Sequence, residues 1–127
     1  MKVYKETIEV EGKKLSGCLI KLENANVVLL DEKENIRLGT LAVGVPEFDG
    51  KHRISSVLLG ERNEMEARLL AERVSATMGG ISIVSIHLEP LSGLDSLASL
   101  MKLITQLIEK TQKERSKVNT QMQGKDV

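Results

Sequence analysis

Apolar and polar positions alternate from residue 2 to 11. Tyr4, Ile8 and Val10 fall on one side; Lys5, Thr7, Glu9 and Glu11 fall on the other. That period predicts a strand with one wet face. Gly12-Lys13 predicts a tight turn into a second strand, Lys14–Glu23, carrying Leu15, Leu19 and Ile20, and Asn24-Ala25-Asn26 a further turn. NVVLL (26–30) is apolar on both faces and suits a central strand. DEKEN (31–35) is a charged turn, and IRLGTLAVGV (36–45) reads as a fourth strand. Four strands at about ten-residue spacing predict an antiparallel meander. Gly39 and Gly44 interrupt the fourth strand, where glycine serves a bulge, a close packing contact or a ligand approaching the backbone. Pro46 ends that strand, and PEFDGKH (46–52) is the longest irregular segment. Residues 53–59 predict a fifth strand.

The period then changes. Met65, Ala67, Leu69, Leu70, Ala71, Val74 and Met78 form one side of a helix predicted over 62–78. Gly79-Gly80 stops it. ISIVSIHL (81–88) is again apolar on both faces and predicts an interior strand. After Pro90 and Gly93 a second helix begins near Leu94 or Asp95. Asp95, Ser99, Lys102, Gln106, Glu109 and Lys113 give it one narrow polar stripe. Leu94, Leu97, Leu100, Met101, Leu103, Ile104, Leu107 and Ile108 cover more of its surface than a single core-facing stripe needs. Either the helix is buried between a sheet and the first helix, or its second stripe faces another copy of the chain. The second alternative makes Leu97, Leu100, Met101, Ile104, Leu107 and Ile108 an oligomer interface. From Lys110 the sequence turns polar, predicting a single α+β domain over 1–115 and a disordered polar tail over 116–127.

Composition narrows the function classes. The 127 residues suit one domain. Aromatic residues make up 2%, so stacking platforms for bases are lacking. Eighteen basic residues balance eighteen acidic ones, which leaves no electrostatic footprint for nucleic acid or an anionic membrane. The single cysteine, Cys18, lies in an apolar stretch and excludes an internal disulfide. No apolar run approaches membrane-spanning length, and the charged N-terminus is unlike a signal peptide, so a cytoplasmic protein is expected.

Candidate chemistry is sparse. The strand–Gly60–helix junction has the outline of a phosphate cradle, but Glu61, Glu64 and Glu66 crowd the first turn and repel phosphate. Asn63 and Glu66 have capping-box spacing, so Gly60 reads as a corner. His52, His87 and nearby Glu89 are the only outline of a metal site. No serine sits in a nucleophile elbow, and no acid pair occupies an apolar run. No catalytic, cofactor-binding or metal-binding residues are expected.

IRLGTLAVGVPEFD, then ISSVLLGERNEMEARLLAERVSATMGG, then ISIVSIHL resemble the small proteasome assembly chaperones of the third and fourth type, in an archaeal form. Leu58-Leu59-Gly60 is the sharpest local match, and the likeness spans roughly residues 5–110. It implies a mainly antiparallel six-stranded β-sheet or sandwich with two flanking helices, in a non-enzymatic chaperone that self-associates as a homodimer or dimer of dimers. The implied partners are proteasome α-subunits or another assembly factor, and the implied role is assembly of the 20S α-ring. Several proteasome-binding factors end in a hydrophobic residue, tyrosine and any residue. Here the last residues are Lys125-Asp126-Val127, so contact is expected elsewhere. The 46–53 loop is the candidate, with Phe48 as an apolar anchor among Glu47, Asp49, Lys51 and Arg53, or else folded back to cap the sheet. The competing readings are a scaffold module of roadblock or longin type, which differs in element order, and a small enzyme with its site at a dimer interface.

Overall fold

A computed structural model describes residues 1–46, 54–90, 93, 94 and 96–125. Six strands precede or alternate with two helices: β1 (Lys2–Val10), β2 (Lys13–Lys21), β3 (Ala25–Asp31), β4 (Thr40–Val45), β5 (Ile54–Leu59), α1 (Glu64–Met78), β6 (Ile81–His87) and α2 (Leu97–Lys125). The strands form one sheet in the order β1-β2-β3-β6-β4-β5. All pairs are antiparallel except β3–β6, which is parallel.

The expected meander holds only for its first three strands. Glu11 and Gly12 both have positive φ, the conformation of a two-residue hairpin turn that matches strand twist, so the turn sits one residue earlier than the glycine suggested. β3 and β4 are not neighbours. β6, apolar on both sides, enters between them and pairs with each. The predicted fourth strand also loses residues 36–39. The Arg37 backbone N–H and guanidinium both donate to the Asp31 carboxylate, and the Gly39 N–H donates to Ser85 Oγ at 2.9 Å, so these residues do not join the ladder.

Both helices lie on one side of the sheet. α1 covers β4, β5 and β6, α2 covers β1 and β2, and the two helices touch. Alternate strand residues supply the core beneath them: Leu15 and Leu19 from β2, Val28 and Leu30 from β3, Val84 and Ile86 from β6. Gly44 lets α1 come close: a Cβ there would stand 2.5 Å from the Ala71 carbonyl oxygen. Ala67, Leu70, Ala71 and Val74 form the buried side of α1, whereas Met65, expected on that side, is 64% exposed. Asn63 is the N-cap, but its left-handed backbone turns the side chain away and it makes no capping hydrogen bond, so the capping box does not form. Ser96 caps α2 instead, accepting the Ser99 N–H at 3.1 Å.

α2 remains helical to Lys125, through the segment where the sequence predicted a tail. The apolar period does end near Lys110, but Lys110 and Glu114 still bond to β1, and residues 110–123 contain no Gly or Pro and are rich in residues that favour helix.

Candidate protein-interaction site

The six α2 residues expected at an oligomer interface are drawn into the chain's own core. Leu100, Ile104 and Leu107 are at most 1% exposed, and Ile108 is buried; Leu97 and Met101 are partly buried and pack against the same cluster. α2 packs on β1, β2 and α1, which between them cover its apolar side. A second copy is therefore not needed to cover this helix. Glu47, Phe48, Asp49, Lys51 and Arg53, the expected partner-binding residues, lie outside the described residues, as does His52.

What the fold leaves uncovered is the other face of the sheet. In β4, Thr40, Ala42 and Gly44 point at α1, so Leu41, Val43 and Val45 point away. Ser82 Oγ donates to the Ala71 carbonyl and Val84 and Ile86 are core, so Ile81, Ile83, Ser85 and His87 also point away. Register carries the rule across: Val27 lies opposite Ile83, and Ile83 opposite Val43; Leu29 lies beside Ser85, and Ser85 beside Leu41. Among the described residues no helix covers this face, and its apolar residues on β3, β6 and β4 are half-buried or exposed. Towards β1 and β2 the face turns polar. Val3, Lys5, Thr7 and Glu9 lie opposite Ile20, Cys18, Ser16 and Lys14.

An ionic clamp closes one corner of the open face. The Asp31 side chain has no exposure, and its two oxygens accept from Arg37 Nε and a terminal guanidinium nitrogen at 3.0 Å each and from the backbone N–H groups of Lys33 and Arg37. Burial pushes the Asp31 carboxyl upward, but these donors outweigh it and hold it below the ordinary carboxylate range. Arg37 also pairs with Glu89 at 3.1 Å, and Glu32 accepts the Glu89 N–H. An open cleft of about 610 Å³ lies between this connection, at Glu34, Asn35 and Ile36, and the sheet at Lys5, Thr7, Cys18 and Leu29. Burial pushes the Cys18 thiol above its ordinary value, which keeps it protonated at neutral pH.

Of the outlined metal site, His52 lies outside the described residues, and His87 and Glu89 are otherwise engaged or apart. Glu89 is engaged by Arg37, and His87 Nδ1 lies 3.9 Å from Asp31 Oδ1 without a hydrogen-bond partner. Among the described residues no group of three His, Cys, Asp or Glu could hold a metal ion. Gly60 is a corner: its φ is +95°, and a Cβ would stand 2.5 Å from Thr40 Oγ1, which itself donates to the Arg62 carbonyl. Among the described residues no helix is long and apolar enough to cross a membrane.

No protein-family model matches the chain, and no curated protein matches it by sequence. Among solved structures it is similar to a chain from the crystal structure of a novel chaperone complex for yeast 20S proteasome assembly. Identity is 15%, the TM-score is 0.65, and the alignment covers 89% of this chain and 96% of that one. The likeness spans the whole sheet-and-two-helix arrangement, so this chain has the fold of that yeast chaperone chain.

Proposed function

We propose that this protein is a non-enzymatic chaperone that pairs with itself through the open sheet face and assists assembly of the 20S proteasome α-ring. The observation that carries this reading is an apolar sheet face without a cover, on a fold shared with a chain of a proteasome assembly complex. Six strands about 4.8 Å apart and roughly seven residues long, at about 3.3 Å per residue, present a face of about 650 Å². That approaches the ~800 Å² per partner of a standard protein interface. Stacking two such faces gives a β-sandwich with helices outside, the arrangement that the sequence resemblance implies.

The 46–53 loop contacts an α-subunit in this reading. With 32–39 it is one of the two longest connections between strands, and such loops carry recognition. Pull-down of tagged chain with proteasome α-subunits tests it. The full chain is expected to retain α-subunits and Phe48→Ala to lose them with little change in thermal stability. No retention by the full chain ends the reading; a Phe48→Ala variant that loses about 3 kcal/mol of stability assigns Phe48 to the core instead.

A further inference from the structure

The two edges of the sheet are treated differently. At the β1 edge, Lys110 of α2 donates to the Lys5 carbonyl at 2.6 Å and pairs with Glu6, while Lys2 pairs with Glu114. Four of the nine β1 residues are charged. Charges and a covering side chain are how proteins block unwanted strand pairing. At the other edge, β5 reads ISSVLL, without a charge. It pairs only with β4, and its outward backbone groups have no hydrogen-bond partner among the described residues. Ile54, Leu58 and Leu59 are 50%, 57% and 49% exposed.

Beside this edge runs a groove of about 440 Å³ between β5 and α1, lined by Ser55, Ser56, Val57, Glu64, Met65 and Arg68. At one end Ser55 Oγ donates to Glu72 and accepts from Arg68, tying strand to helix. At the other end the groove opens onto Met65, with Glu64 exposed beside it and in no ion pair among the described residues. An edge strand next to a helix-walled groove is the geometry that receives an extended peptide: the edge supplies main-chain bonds and the groove takes alternate side chains.

We infer that the β5 edge and the β5–α1 groove bind an extended segment of a partner protein, apolar at alternate positions and basic at the flank that meets Glu64. A second copy fits less well. Six residues of edge offer far less than the ~1,000 Å² that a stable association needs, and the unpaired Glu64 carboxylate calls for a basic partner. Ile54 and Leu59, opposite Val45 and Leu41, stand on the open-face side of this edge, whereas the groove lies on the helix side, and the site does not depend on the partner proposed above.

Selection of a random ten-residue peptide library on the immobilised full chain tests this. Enriched peptides are expected to alternate apolar residues and carry Lys or Arg at one end. Fluorescence anisotropy is expected to show at least tenfold weaker binding of those peptides to Met65→Lys and unchanged binding to Ile83→Glu, and hydrogen exchange is expected to slow at β5 amides when peptide binds. No enrichment, enrichment without that pattern, or equal binding to Met65→Lys overturns the inference. So do β5 amides that become protected in the peptide-free chain as its concentration rises, which would place a second copy on the edge.

Discussion

The two faces of the sheet carry much the same kind of apolar side chain in different circumstances. Beneath the helices, Leu15, Leu19, Val28, Leu30 and Val84 are fully buried. On the other face Val27, Leu29, Leu41, Val43 and Ile83 are packed only along the sheet. A sheet that ends at water ordinarily alternates apolar and polar residues. β1 does so, whereas β3, β4 and β6 do not. The difference separates residues that hold the monomer together from residues that give it something to adhere to.

Substitutions on the two faces should therefore separate stability from association. Leu103→Ala, beneath the sheet in the α2 core, is expected to cost about 2–5 kcal/mol, read from urea unfolding; a cost below about 1 kcal/mol would mean that α2 does not pack as described. Ile83→Glu, on the open face, is expected to cost the monomer only about 1 kcal/mol while converting a dimer to monomer in sedimentation at micromolar concentration. A wild-type chain that already sediments as monomer would remove the open face as an interface.

Acid sharpens the contrast at the clamp. Asp31 titrates lower in the folded chain than unfolded, so its contribution is complete above the unfolded value of about 4. It is lost as pH falls through the lower folded value. Asp31→Asn is expected to flatten the acid limb of thermal stability, and an unchanged limb would assign it to other carboxylates. The smallest effect concerns Cys18: its buried, protonated thiol is expected to react slowly with a maleimide at pH 7, and faster in Ile83→Glu if association shields this face. Equal rates in the two chains would confine the interface to the β3–β6–β4 side.

Much of the fold was legible. The strand and helix periods located all eight elements, and Gly79 and Gly60 marked the helix end and the corner. Strand order was not, because nothing local says that β6, some fifty residues on, inserts beside β3. The misassignment of surplus hydrophobicity is more instructive. The broad apolar surface of α2 pointed to a partner, but sheet and α1 consume it within the chain. The apolar second sides of NVVLL and ISIVSIHL predicted central, interior strands, and β3 and β6 are central in the sheet, yet among the described residues only one face carries helices. Periodicity reports that a side chain avoids water without reporting which neighbour shields it. The β5–α1 groove was invisible for a similar reason, since it depends on a strand edge and a helix flank meeting.

The place of β6 at the centre of the sheet has a kinetic consequence. β1–β2–β3 is one local hairpin series, and β4–β5–α1 is another. No backbone ladder joins them until β6 pairs with both, closing a loop that runs from Asp31 to Ile81. Loops of that length close at an entropic cost before any pairing rewards them, so such contacts slow folding. During synthesis the chain has two half-sheets, each with a bare edge, until residues 81–87 have emerged, and α2 then seals the first of them.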